Sequence, residues 1–263
     1  MNKIKWRKLK MKKKIIITSG PTNERIDSVM KITNMSTGAL GCVFAETFLE
    51  EKEDEIEKIF FISTKMSYKP RIKSQKIEYV IIESTQDLTN GLKKIFNENK
   101  IDIIIHSAAV GDYVGKYLIR AEDIVDEIWE TIQNTPTSKI TKERLMEIFE
   151  NPHLIADNSG KMSSYQPHLM TMFTLTPKVI GMIKKLEPNV KLVRFKLLDG
   201  VSKENLLEVA TKLREKNNAD YIVANDLSKI GGGKHWAMII GEDGIIKESN
   251  TKKEIAKEIT KLV

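Results

Sequence analysis

Lys14-Ile15-Ile16-Ile17-Thr18-Ser19-Gly20-Pro21-Thr22 decides the fold. Ile15, Ile16 and Ile17 are apolar without the alternation of a half-exposed strand, so the run predicts a strand buried on both faces. Such strands belong to parallel sheets covered by helices. Gly20-Pro21 ends the strand. Downstream, Ser36-Thr37-Gly38-Ala39-Leu40-Gly41 opens a helix over 37–51, with Leu40, Phe44 and Phe48 on a shared face and Ser36 as its cap. A hydroxyl pair followed by glycine at a helix start offers backbone N–H groups and the positive end of the helix dipole, which suits a phosphate.

The same alternation recurs along the chain. Strands are expected over 59–63, 78–82, 101–106, 191–195 and 220–224, and a hairpin over 237–240 and 244–247 around Glu242-Asp243. Helices are expected over 87–97, 177–186, 202–217 and 251–262. Pro177 takes a permitted first-turn position, and Thr251 with Glu254 forms a capping box. The pattern predicts an α/β fold: a Rossmann-like, mostly parallel sheet covered by helices on both faces. Residues 114–172 break the rhythm with polar and proline-bearing sequence and helices near 123–132 and 142–149. They read as an inserted flap or dimerisation arm within a single domain over 14–263. Ligands on such sheets bind beyond the carboxyl ends of the strands. Ser19 to Thr22, Ser107 to Tyr113, Phe195-Lys196 and Asn225-Asp226 would converge there.

Composition narrows the class. With 41% hydrophobic and 30% charged residues the chain is globular, and no apolar run reaches a membrane span. The net charge of +7 is concentrated in one place: residues 1 to 14 hold eight Lys or Arg and no acid, so the rest is close to neutral. The leader over 1–13 reads as a disordered, solvated tail, with Met11 as an alternative start, and a neutral body does not suggest a nucleic-acid partner. Cys42 is the single cysteine, which excludes an internal disulfide and agrees with a cytoplasmic protein. It reads as a buried, inert thiol whose pKa the nearby helix start would lower. No spacing of His, Cys or acid residues suggests a structural metal cage.

The G-x-G-x-x-G dinucleotide fingerprint is absent, and the loop from Asn23 to Met35 is too long for the tight dinucleotide turn. The ordered set of motifs instead resembles the phosphopantothenate–cysteine ligase family. Gly20-Pro21-Thr22-Asn23-Glu24 with Ile26-Asp27 resembles its first loop, and Ile32-Thr33-Asn34-Met35-Ser36-Thr37-Gly38 with Gly41 its substrate loop. Ala108-Ala109-Val110-Gly111-Asp112-Tyr113 resembles its Ala-Ala-Val-x-Asp-Tyr segment, and Lys161-Met162-Ser163-Ser164 the start of its lysine loop. Pro177-Lys178-Val179-Ile180, Phe195-Lys196-Leu197 and Ala219 to Asp226 complete a match over about 14–263. The resemblance is to the stand-alone bacterial form, without the fused flavin-dependent decarboxylase and so without flavin.

The resemblance implies an enzyme of coenzyme A biosynthesis. Its members transfer a nucleotidyl group from CTP (ATP in eukaryotic members), with Mg²⁺, to the carboxylate of 4′-phosphopantothenate. The amine of L-cysteine then attacks, and CMP leaves. Carried over by position, Ser36, Thr37 and Gly38 would hold the substrate phosphate. Asn34 would donate its NH₂ to the acyl-nucleotide carbonyl, and Lys161 would meet the triphosphate. Gly20, His106, Ser107, Ala108, Asp112, Pro177, Lys178, Val179, Ile180, Phe195, Lys212 and Lys216 would line the nucleotide pocket. The metal ligands are not identified, and the family suggests a homodimer.

The match departs from the family at Met30, where many members carry arginine, and at Lys161, which stands alone where many bacterial members have three lysines. Read by themselves, Phe195 could be core, His106 a packed strand end, Lys212 and Lys216 a solvated helix face, and Asn225-Asp226 a turn cap. An NAD(P)-dependent reductase and a non-catalytic nucleotide- or nucleic-acid-binding module are the competing classes. The first lacks the fingerprint and a Tyr-x-x-x-Lys pair; the second would have to rely on the basic leader.

Overall fold

The computed structural model describes residues 12–163 and 165–263. The basic leader therefore lies outside the described residues except for Lys12 and Lys13, and so does Ser164 of the lysine loop. In chain order the elements are β1 (Lys13–Ser19), β2 (Asn23–Arg25), β3 (Lys31–Thr33), α1 (Ala39–Lys52), β4 (Ile56–Thr64), β5 (Ile77–Ile82), α2 (Thr85–Glu98), β6 (Ile103–His106), β7 (Tyr113–Arg120), α3 (Ala121–Asn134), α4 (Lys142–Glu150), β8 (Leu169–Leu175), α5 (Ile180–Leu186), β9 (Lys191–Leu198), α6 (Lys203–Lys216), β10 (Tyr221–Gly231), β11 (Lys234–Gly241), β12 (Gly244–Ser249) and α7 (Lys252–Leu262).

These elements form two compact units, where the sequence suggests one domain carrying a flap. One unit takes the chain up to Thr22, Met35–Val110 and Lys178–Val263; the other takes Asn23–Asn34 and Gly111–Pro177. The insertion is thus wider than 114–172, and a second, short piece of chain joins it.

In the first unit an eight-stranded sheet runs β12-β11-β10-β9-β6-β1-β4-β5. The six strands from β10 to β5 are parallel, and β11 and β12 add antiparallel at the edge. Numbered along the chain, the parallel strands stand 3-2-1-4-5-6, with the order reversing between β1 and β6. Ile15, Ile16 and Ile17 pair with Ile59, Phe60 and Phe61 on one side and with Ile103, Ile104 and Ile105 on the other. Ile15 and Ile17 pack with Phe44 and Phe48 of α1 and Ile255 and Ile259 of α7, while Ile16 packs with Leu88 and Leu92 of α2 and Ile183 of α5. All three are fully buried, each contributing about 2 kcal/mol of hydrophobic stabilisation. The apolar run is explained by this two-sided cover. Helix α6 packs Leu206 and Ala210 on Ile222, Ala224 and Met238, on the same sheet face as α2 and α5.

Side-chain caps start α2 (Ser84 with Asp87), α6 (Ser202) and α7 (Thr251). Two helix starts differ from expectation. Gly38, not Ser36, is the N-cap of α1, with φ 82° and no side-chain cap bond. Helix α5 begins at Ile180 rather than Pro177, and Val179 is its N-cap.

The second unit contains the β2–β3 and β7–β8 antiparallel hairpins with α3 and α4. Tyr117, Ile119, Ile124 and Ile148 form its small core, with Phe149 and Met172 against it. The two helices fall where the sequence places them; the four strands were not anticipated. Among the described residues no helix is long and apolar enough to cross a membrane.

Candidate functional site

The sheet's order reverses where β1 ends at Ser19 and β6 at His106, which is where an open α/β sheet leaves a crevice for ligand. Backbone bonds continue across the gap after the strands end. Ser107 N–H donates to the Thr18 carbonyl (3.2 Å), Ala109 N–H to the Gly20 carbonyl (2.9 Å) and Thr22 N–H to the Ala109 carbonyl (3.2 Å). Thr18 Oγ1 bonds His106 Nδ1 at 2.9 Å and accepts from Ala108 N–H at 3.2 Å; the Ser107 hydroxyl donates to the Thr18 carbonyl at 2.7 Å. Gly20, His106, Ser107 and Ala108 are thereby fixed along one rim.

Helix α1 begins against this rim. Ser19 Oγ donates to the Gly38 carbonyl at 2.8 Å. Gly38 adopts a left-handed φ of 82°, which glycine reaches without strain, and the first helical turn follows directly, with Ala39 N–H donating to Thr37 Oγ1 at 3.4 Å. A Cβ on Gly41 would lie 2.4 Å from Ser19 Oγ and 3.2 Å from Ser107 Oγ, so only glycine lets the helix start sit this close. Ser36 is half-buried and Thr37 exposed, and the Thr37 carbonyl accepts from Tyr68 N–H at 3.0 Å. Gly41→Ala is expected to cost about 1–3 kcal/mol of stability and to displace the α1 start, since the side chain it meets is backed by β1. Chemical denaturation read with a phosphate-ester titration measures both effects.

Phe195, level with Val223 on β10, meets Phe44 of α1 edge-on, with ring centroids 5.8 Å apart. It is half-buried, packing on the core while standing on the rim's side of the sheet. Lys178 is exposed ahead of α5, Ile180 is half-buried, and Val179 is buried in the core beneath α2. Lys212 and Lys216 are not brought to this group. Both are exposed near the end of α6, on the sheet face opposite α1, and Lys212 pairs with Glu208 at 2.5 Å. Asn225 and Asp226 are buried at the end of the β10 ladder. Asn225 bonds His235 at 2.7 Å, and Asp226 accepts from Gly200 N–H and Ser228.

In the second unit, Asn34 is exposed one residue beyond β3, and Asp112 and Pro177 are exposed near the base of β7 and β8. The Asp112 carbonyl accepts from Thr176 N–H at 3.0 Å. Lys161 is exposed in a loop fastened to the β2–β3 turn. Asp27 Oδ1 accepts from Val29 N–H (2.7 Å) and Met30 N–H (2.6 Å), and Oδ2 accepts from Met162 N–H (3.1 Å). Asn158 Nδ2 donates to the Ile26 carbonyl at 2.8 Å, and Ser28 N–H to the Gly160 carbonyl at 3.4 Å. The Met30 and Val29 backbone bonds hold the Asp27 carboxyl below its usual range. The sequence places Ser19 and Asp27 within motifs but assigns no role to either, nor to Thr18, and their hydrogen bonds show what they hold. Only Asp27 carried a signal, an aspartate able to cap the N–H groups two and three residues on.

Burial pushes the Cys42 thiol up to about 11, so desolvation outweighs the lowering that a nearby helix start would bring. Burial, with Arg194 nearby, lowers His106 to about 4, and burial does the same for His235. Both are neutral when folded and protonate near 6.5 when unfolded. The unfolded chain therefore binds more protons between pH 6.5 and about 4, and stability falls as pH drops through that window. For His106 the full loss is on the order of 3 kcal/mol. Urea midpoints are expected to fall from pH 7 to pH 5, and less steeply in His106→Gln.

Residues 10–124 match the family model described as the DNA/pantothenate metabolism flavoprotein C-terminal domain. Two curated relatives are coenzyme A biosynthesis bifunctional proteins CoaBC. That of Thermococcus kodakarensis is 28% identical over 94% of this chain and 50% of its own length; that of Methanocaldococcus jannaschii is 27% identical over 95% and 50%. The chain thus spans about half the length of the curated relatives it matches. The crystal structure of the DNA/pantothenate metabolism flavoprotein from Streptococcus pneumoniae superposes with a TM-score of 0.74 at 32% identity, covering 95% of this chain and 97% of that one.

Proposed function

The chain belongs to the DNA/pantothenate metabolism flavoprotein C-terminal domain family, and from that premise we propose that it is a phosphopantothenate–cysteine ligase of coenzyme A biosynthesis. The observation that carries the reading is the α1 start at the sheet's switch point. There Gly38 and Gly41 let a helix N-terminus press against Ser19 and Ser107, and the positive end of the helix dipole suits a phosphate.

In this reading Ser36, Thr37 and Gly38 hold the phosphate of 4′-phosphopantothenate. The carboxylate oxygen of that substrate attacks the α-phosphorus of CTP, pyrophosphate leaves, and an acyl-cytidylate forms. Lys161 neutralises the triphosphate during this step. The amine of cysteine then attacks the acyl carbon, Asn34 donates to the carbonyl oxygen as negative charge collects there, and CMP leaves. His106, Ser107, Ala108 and Phe195 line the nucleotide's side of the rim, with His106 acting as a neutral partner because its pKa is lowered.

Among the described residues no group of three His, Cys, Asp or Glu side chains could hold a metal. Mg²⁺ would arrive on the triphosphate, whose oxygens supply most of its ligands, and when bound it would offset charge on the leaving pyrophosphate. A homodimer is supported by α3, where Val125, Trp129 and Ile132 stand exposed at helical spacing. Equal concentrations of CTP and ATP should yield CMP in excess of AMP. An excess of AMP would reassign the nucleotide.

A further inference from the structure

We propose that Asp27 is a positioning residue that sets the place of Lys161, an inference that rests on the ligase reading. Asp27 is 4% exposed, and the charge of Lys161 acts on it less than its backbone hydrogen bonds do. Its carboxylate instead divides its two oxygens between two tasks. Oδ1 closes the β2–β3 turn through Val29 and Met30 N–H, and Oδ2 takes Met162 N–H, the amide next to Lys161. On the other side of Lys161 the Gly160 carbonyl accepts from Ser28 N–H, and two residues earlier Asn158 reaches the Ile26 carbonyl. The lysine's backbone is thus pinned before and after by one five-residue turn, Ile26 to Met30. That turn also opens β3, the strand that runs to Asn34.

The chemistry requires an acid at this place. An exposed loop carrying a long cation gains little from propensity alone, and its lysine would sample many positions. Two oxygens with spare lone pairs can serve three N–H donors; an amide cannot. Asparagine at position 27 would keep one oxygen for Val29 and Met30, but would turn an NH₂ group toward Met162 N–H. The turn would survive while the tie to the lysine loop is lost. Because the Asp27 oxygens are taken by Val29, Met30 and Met162 N–H, the carboxylate acts on the lysine's backbone rather than on its ammonium.

The test is Asp27→Asn, alone and in a Lys161→Gln background, with pyrophosphate release and amide hydrogen exchange as readouts. Asp27→Asn is expected to lower kcat for pyrophosphate release about tenfold, in line with the cost of misplacing a catalytic group. Affinity for phosphopantothenate should be unchanged, and the melting temperature should move by less than about 3 °C. Exchange should quicken over 158–163 and stay unchanged over β2 and β3. In the Lys161→Gln background the added substitution should have no further effect on kcat, since both act through one group. Additive losses, or unchanged exchange over 158–163, would overturn the proposal. If the unsubstituted protein releases no pyrophosphate with CTP or ATP, the ligase reading fails, and the exchange result still decides whether Asp27 holds the loop.

Discussion

Asn34→Asp is expected to slow amide formation by about 10²–10³-fold, the loss that follows removal of one donor to a developing oxyanion. Aspartate matches asparagine in size, so the exposed position after β3 should tolerate it without loss of fold. The change is electronic. An NH₂ donor becomes a second oxygen, which can only accept when ionised, and a negative charge faces the oxygen on which charge collects. The defect should lie after activation. With phosphopantothenate and CTP the variant should still release a first equivalent of pyrophosphate, and the acyl-cytidylate should accumulate to a level that mass spectrometry detects. Addition of cysteine should consume it slowly. Unimpaired transfer to cysteine would remove Asn34 from the second step.

Lys161→Gln is expected to lower pyrophosphate release by about 10²-fold, with the loss in the first step rather than the second. Lys161 is exposed, so its removal should cost little stability. The glutamine keeps the polar tip and most of the stem but removes the charge, which separates electrostatic stabilisation of the triphosphate from packing. Lys161→Arg should recover part of the rate, because a guanidinium keeps the charge but changes its reach. Stopped-flow detection of pyrophosphate, with saturating phosphopantothenate, measures the step directly. Equal rates for Lys161→Gln and the unsubstituted protein would place the triphosphate elsewhere.

Both residues were named through the resemblance alone, whereas part of the fold was legible from residue pattern. The sheet was legible because Ile15 to Ile17 and Ile103 to Ile105 are apolar at every position, as two-sided burial requires. The β7–β8 hairpin was not, because a shift of register between Gly115 and Leu118 breaks the period-two pattern that marks a half-buried strand. The three-residue strands β2 and β3 are too short to show any period. Ser36 looked like the cap of α1 because its hydroxyl fits that role, yet the N-cap is Gly38, two residues later, whose carbonyl accepts from Ser19. Lys212 and Lys216 sit four apart on one helical face, but the direction of α6 carries them away from the rim. Asp27 stands in a quoted motif, but its tie to Met162 N–H was not legible, because the two are 135 residues apart in the chain.

The most direct measurement is the complete reaction. Purified protein with 4′-phosphopantothenate, L-cysteine, Mg²⁺ and CTP is followed for pyrophosphate and for the amide product by mass spectrometry. The account predicts one pyrophosphate and one CMP for each phosphopantothenoylcysteine formed, and no CMP release when phosphopantothenate is omitted. Absence of both pyrophosphate and amide, with CTP and with ATP alike, would contradict it.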